Sequence, residues 1–227
     1  MDKFIIDNAT FVTRKEIEEG ICQLLTDFLR NYSTENLLMV NLVSSKIGSE
    51  HWLYLKIRPL LPSHSLITPT MAEELAFGEG EYDVFFIDDW LLSGCNACTN
   101  FENVFYGKKI PDNTKINCYF FSYFSTDRAM SGIDRLISGF YKKIKHIQTI
   151  HKYLKKLEPL SQVAKDHFTQ KEITDFDTQY DNYDAFLIWS DYKIPNEFGT
   201  YPGILKRDID RSFMTKVVDQ FKSLDYH

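Results

Sequence analysis

Short, almost wholly apolar runs alternate along this chain with longer segments in which apolar residues recur every three or four positions. LLMVNLV (Leu37 to Val43), VFFID (Val84 to Asp88) and INCYFFSYF (Ile116 to Phe124) are the apolar runs. Runs of that length and composition are expected of strands buried on both faces. SLITP (Ser65 to Pro69) and Ala185 to Trp189 read as two further strands. Thr13 followed by Glu16 is a capping box, and the helical spacing of RKEIEEGICQLLTDFLRN after it predicts a helix over about 13–31. EHWLYLKIRPLL reads as a helix halted by Pro62, and another helix is expected from about Asn96 to Val104. Helical pattern dominates from Asp127 to about Phe168, with part of Ile144 to Ile150 open to an extended reading. SFMTKVVDQFKSL predicts a C-terminal helix over about 211–223.

Strands alternating with helices imply an α/β fold, a mainly parallel sheet with helices on both faces. With no internal repeat, low-complexity tract or linker composition, residues 1–227 read as a single domain. A chain of 227 residues that is 44% hydrophobic and 26% charged is ordinary for a folded soluble protein, and 18 Phe with 13 Tyr predict a ring-rich core. No run approaches the roughly 18 apolar residues of a membrane span. MDKFIIDNATF does not read as a secretion signal, so a cytoplasmic location and no membrane partner are expected.

Cys22 and Cys118 sit at apolar positions expected of buried thiols. Cys95 and Cys98 form a lone C-x-x-C, and no second pair completes the four ligands of a tetrahedral zinc site. A redox reading of that pair predicts a depressed thiol pKa at a helix N-terminus. The net charge of −6 argues against a surface coated for nucleic acid. Gly139 to Leu157 breaks that balance, with Lys142, Lys143, Lys145, Lys152, Lys155 and Lys156 and no acid. It reads as a solvated helical face or as a docking patch for a nucleic-acid or protein partner.

Candidate chemistry concentrates in VFFIDDWLLSGCNA, Val84 to Ala97. An apolar strand ends in Asp88 and Asp89, and Ser93 and Gly94 then open a turn into a helix. In a parallel sheet this puts the acids and the turn at a carboxyl edge, where such folds bind ligands. Backbone N–H groups from Ser93 to Asn96 can converge on a phosphate, with Gly94 permitting close approach and the Ser93 hydroxyl adding a donor. The acids are then suited to sugar hydroxyls and a magnesium ion.

This run resembles the phosphoribosyl-pyrophosphate motif of type I phosphoribosyltransferases: an apolar strand, two acids, three variable residues, a Thr or Ser, a Gly or Ala and further small residues. The resemblance implies that family's Rossmann-like fold and a ligand that is phosphoribosyl pyrophosphate or a nucleotide with Mg2+. It implies that Asp88 and Asp89 hold ribose and metal, and that Leu92, Ser93, Gly94, Cys95 and Asn96 surround the 5′-phosphate. SSKIGSE, Ser44 to Glu50, stands where the family binds pyrophosphate, so Lys46 is implied in catalysis with Ser45, Gly48 and Ser49 beside it. AFLIWSDYKIPNEFGTYPGIL resembles the base-binding strand and loop of hypoxanthine-guanine phosphoribosyltransferases, with Trp189 against a base and Asp191 and Lys193 at its edges. The arrangement is also similar to phosphoribosyltransferase-like proteins of bacterial conflict and retron defence systems, and a homodimer is an expected assembly.

The chain departs from the family at several positions. Leu92 stands where purine-salvage members carry an acid, and Asn96 replaces the usual Thr. Trp90 and Cys95 are bulky for a ligand-facing turn. Thr70 to Tyr82, the expected lid, has Glu73, Glu74, Glu79 and Glu81 and no basic residue. Two functions follow. One is a transferase moving a 5-phosphoribosyl group, which in a defence setting would be an effector. The other is an inactive nucleotide-sensing or partner-docking module using 139–157.

Overall fold

The structure, a computed structural model, describes residues 10–32, 35–41, 49–92, 94–141, 146–157 and 188–190. The chain divides into two compact units, one of Met1–Glu16 with Leu157–His227 and one of Ile17–Lys156. In the first, β1 (Thr10–Val12) pairs in parallel with β8 (Ile188–Ser190), Thr10 opposite Ile188. Of the strand expected over Ala185 to Trp189, only its end lies within the described residues. The C-terminal helix expected over 211–223 lies outside them.

The second unit opens with α1 (Arg14–Arg30, begun in the first), whose cap is the one read from the sequence. Thr13 Oγ1 accepts the Glu16 N–H at 3.1 Å, and the Glu16 carboxylate accepts the Thr13 N–H at 2.6 Å. There follow β2 (Leu37–Asn41), α2 (Ser49–Ile57), a 3-10 turn (Arg58–Leu60), β3 (Ser65–Ile67), α3 (Pro69–Glu74) and β4 (Gly80–Ile87). The unit closes with β5 (Trp90–Leu91), α4 (Cys95–Phe105), β6 (Thr114–Ser125), α5 (Asp127–Tyr141) and β7 (Ile147–Lys156). The sheet runs β3-β2-β4-β6, with β5 and β7 also on β6, and every pairing in it is parallel. The fold class expected from the sequence is therefore observed: an α/β protein with a parallel sheet.

Strand alternation sends the rings to opposite sides. Val84, Phe86, Ile116, Cys118 and Phe120 join a core with Phe101 and Phe105 of α4 and Ile133 and Ile137 of α5. On the other side Phe85, Tyr119 and Phe121 surround Phe28 of α1, with ring centroids 5.1–5.8 Å apart. Helices thus cover both faces, and each fully buried Phe contributes about 1.5–3 kcal/mol of transfer free energy.

Two local expectations are corrected, and the elements of the expected lid are filled in. The second helix stops at Ile57 rather than at Pro62, because Pro59 has no N–H to donate and disfavours helical backbone at Arg58. The acidic stretch expected as a lid begins as a short helix, α3, capped by Thr68, whose Oγ1 accepts the Met71 N–H, and its last residues start β4. The helix from Asp127 ends at Tyr141, and Ile147–Lys156 is a strand along the full second edge of β6. Lys152, Lys155 and Lys156 therefore lie on a strand and not on a helical face. In this segment the pairing partner offered by β6 outweighs a helical spacing of apolar residues.

Candidate active site

The site is built where the sheet changes direction. β2 connects through α2 to β3 on one flank, whereas β4 connects through α4 to β6 on the other. The carboxyl ends of β2 and β4 are consequently the switch point of the sheet, the position at which open α/β sheets leave a crevice for ligands. β2 is described as far as Asn41, which sits opposite Phe86, and the β4 line runs on past Phe86 through Ile87.

The acids lie on that continuation, and their setting differs from a strand that simply ends. Ile87 is opposite Phe121 and Trp90 opposite Phe124, the same offset on either side of Asp88 and Asp89. The Asp88 N–H donates to the Phe121 carbonyl at 3.0 Å, and the Asp89 carbonyl accepts the Tyr123 N–H at 3.0 Å. The acid pair is thus an interruption within one strand line held against β6, which resumes as β5 before the turn.

The two carboxylates are not equivalent. Asp88 is half-buried at the carboxyl edge of the sheet, and its Oδ1 accepts the Asp89 N–H at 2.8 Å. Asp89 is 0% exposed, and its Oδ1 accepts the Trp90 N–H at 2.9 Å. Asp88 thus keeps partial exposure at the carboxyl edge of the sheet, whereas Asp89 is buried within the bend.

After β5 the chain turns through Gly94 into α4. Gly94 has φ +76°, and a Cβ there would lie 3.0 Å from both Cα and the carbonyl oxygen of Ala129. Only glycine satisfies both the left-handed backbone and that approach. As the N-cap of α4 it offers no side chain to the first helical N–H groups, and no side-chain cap hydrogen bond is made there among the described residues. Thr126 fixes the turn from below: its Oγ1 donates to the Leu92 carbonyl at 2.6 Å, and its N–H donates to the Leu91 carbonyl at 3.2 Å. Leu92 is buried, while Cys95 and Asn96 are exposed on the first turn of the helix.

Several residues singled out by the sequence lie outside the described residues: Ser45, Lys46 and Gly48 in the β2–α2 connection, Ser93, Asp191, Lys193, and Lys142, Lys143 and Lys145. Ser49 begins α2, and Trp189 lies in β8 opposite Phe11, in the other unit. The lysines of β7 are engaged: Lys152 Nζ sits 5.7 Å from the Phe28 ring centroid, Lys155 Nζ 5.4 Å from that of Tyr123, and Lys156 pairs with Asp127 at 2.7 Å. The redox expectation is opposed by Cys98, whose thiol is pushed up by burial, with Cys95 and Glu102 adding to it. Among the described residues no group of three or more His, Cys, Asp or Glu could hold a metal. No described helix is long and apolar enough to cross a membrane.

Two polar residues at this edge carry no sequence signal. Asn41 reads as part of an apolar strand, yet it is 4% exposed and its Nδ2 has no partner among the described residues. Ser122 follows Phe121 on β6, beside the acids, and its buried hydroxyl likewise has no partner among them.

No family model matches the chain, and no curated protein matches its sequence. Among solved structures, an adenine phosphoribosyltransferase from Leishmania tarentolae is similar over 61% of this chain and 71% of its own. The identity is 11% and the TM-score 0.33, too distant a likeness to support a functional assignment.

Proposed function

We propose that this chain binds a 5-phosphorylated ribose, as phosphoribosyl pyrophosphate or a nucleotide, and acts as a phosphoribosyltransferase. The observation that carries this reading is the path from Asp88 to Gly94: a half-buried carboxylate at a crevice and an uncapped helix start, close together in the chain, at the switch point of a parallel sheet. Asp88 accepts from ribose hydroxyls. The N–H groups at the start of α4 receive the 5′-phosphate, helped by the partial positive charge of the helix end. Lys46, in the connection that follows β2, supplies the positive charge for pyrophosphate.

Magnesium fits this site only as part of the ligand complex. One accessible carboxylate cannot coordinate it alone, but Mg2+ is commonly held by one or two carboxylates together with substrate oxygens. When bound it neutralises pyrophosphate. The protein's own part is to orient the ribose on Asp88, to grip the phosphate, and to stabilise positive charge developing on the sugar by positioning and electrostatics. Leu92, where a purine-salvage acid would stand, removes protein assistance at the base nitrogen and favours an acceptor that needs none.

Calorimetric titration of phosphoribosyl pyrophosphate with Mg2+ tests this. Binding to the wild type that weakens at least about tenfold in Asp88→Asn, the worth of one charge-assisted hydrogen bond, is the expected result. No binding to a folded wild-type sample overturns the proposal.

A further inference from the structure

Three rings on the α1 side of the sheet pack against one another and yet are only half-buried. They are Phe28 of α1, Tyr32 just beyond its end, and Tyr119 of β6. Their free surfaces line an open cavity of about 650 Å³, together with Asn31 of the helix end and Lys152 of β7. That volume falls within the roughly 300–1,000 Å³ of small-molecule sites. Asp83, which also lines it, lies five residues before Asp88, about 17 Å back along the β4 line. The cavity is therefore separate from the switch-point crevice and shares no residue with it.

The polar groups of the lining differ in what they leave free. Asp83 is 1% exposed, and its carboxylate already accepts from Tyr32, Asn36 and Asn117. Lys152 Nζ stands 5.7 Å from the Phe28 ring centroid and has no carboxylate partner among the described residues. A ring face satisfies an ammonium less well than an oxygen lone pair does. The Asn31 side chain is exposed and forms no hydrogen bond among the described residues. A cation donor on the β7 side and an amide on the α1 side thus flank Tyr119 on the strand between them.

Charge narrows the ligand. Asp27 pairs with Arg30 at 2.9 Å, which leaves Asp83 and Lys152 to offset one another. A lone anion would face the Asp83 charge, and a lone cation would face Lys152. A neutral planar ring meets neither objection, and its flat surface matches an aromatic wall.

We propose that this cavity is a second ligand site, for a neutral heterocycle with a cyclic amide edge: the ring stacks on Tyr119, its carbonyl accepts from Lys152 Nζ, and the adjacent ring N–H donates to the Asn31 side-chain carbonyl. A cyclic amide carries that acceptor and donor side by side, as the two flanking residues require. The inference is independent of the ribose-phosphate reading above.

Uracil and hypoxanthine, two cyclic amides, are titrated calorimetrically into wild type, Lys152→Met, Tyr119→Leu, Tyr119→Phe and Asp88→Asn, with benzoate and benzamidine as charged rings of similar size. At least one cyclic amide is expected to bind wild type more tightly than either charged ring. Lys152→Met should weaken it about tenfold, the worth of a charge-assisted hydrogen bond. Tyr119→Leu should weaken it about tenfold by removing the stacking surface, and Tyr119→Phe should restore it. Asp88→Asn should bind it as wild type does. No binding of either cyclic amide to folded wild type overturns the inference, and so does tighter binding of benzoate or benzamidine. An unchanged affinity in Lys152→Met overturns it as well, whether or not Tyr119→Leu folds. Affinity lost in Asp88→Asn and kept in Lys152→Met would put the heterocycle in the crevice, with the same consequence.

Discussion

The Thr126 hydroxyl donates to the Leu92 carbonyl at 2.6 Å and, from the same oxygen, accepts the Ala129 N–H at 3.0 Å. One buried side chain therefore caps α5 and clamps the turn that leads into α4. Thr126→Val keeps the volume and removes both bonds. It should cost about 1–2 kcal/mol, read from urea denaturation, and weaken phosphoribosyl pyrophosphate binding severalfold because the turn loosens.

Gly94→Ala should be more damaging than a cap loss. The left-handed backbone alone costs about 1–2 kcal/mol for a non-glycine residue. The contact with the Ala129 backbone adds to that, since neither partner is a flexible side-chain end. Gly107 has φ +71°, and a Cβ there would meet nothing within 4 Å, so Gly107→Ala carries the conformational cost only. Gly94→Ala should unfold at lower denaturant than Gly107→Ala; equal midpoints would show that the approach to α5 is relaxed in solution.

Asp88 and Asp89 should separate by readout. Asp89, 0% exposed and bonded to the Trp90 N–H, should lose about 1–3 kcal/mol of stability as Asp89→Ala. Asp88→Asn should leave the denaturation midpoint nearly unchanged and weaken phosphoribosyl pyrophosphate binding at least about tenfold. Equal stability losses in both variants would contradict their different placement.

A buried carboxylate at the other end of β4 serves as a control. Asp83 is 1% exposed and accepts from Tyr32 Oη at 2.6 Å, Asn117 Nδ2 at 2.6 Å and Asn36 Nδ2 at 3.2 Å. It lies five residues before Asp88, about 17 Å away along a strand. Asp83→Ala should cost about 1.5–3 kcal/mol by removing the shared acceptor of those hydrogen bonds, while the folded fraction binds ligand normally. Lost binding with retained stability would place it in the site instead.

Stability should fall in alkali partly through Cys118. Burial, with the Asp83 charge second, pushes its thiol well above the ordinary 9.0. Below pH 9.0 the thiol is protonated in both folded and unfolded chains and contributes no slope. Above it the unfolded chain ionises first and releases a proton, so the folded form loses stability as pH rises towards the raised value. Melting temperatures of wild type and Cys118→Ala should therefore converge above about pH 9 and stay apart by a constant amount below it. Parallel curves throughout would show another origin for the alkaline loss.

The order of strands and helices, the buried character of β2, β4 and β6, and the Thr13–Glu16 cap were all legible in the sequence, because each depends on residues near one another in the chain. The acid pair and Gly94 were legible for the same reason: adjacent carboxylates, a glycine and a helix start form one local pattern. The fate of 147–156 was not. A run such as IQTIHKYLKK can be helix or strand, and only the vacant edge of β6 made it a strand and tied its lysines to Phe28, Tyr123 and Asp127. The inequality of Asp88 and Asp89 was equally invisible, since neighbouring identical residues differ only through the tertiary packing that buries one side chain and leaves the other partly exposed. Thr126 acquires its role from a turn far off in sequence, through its bond to the Leu92 carbonyl. Local pattern thus determined most of the elements and where charge and glycine cluster; burial and long-range hydrogen bonding, which exist only once the sheet is assembled, decided which of those groups are enclosed and which stay exposed.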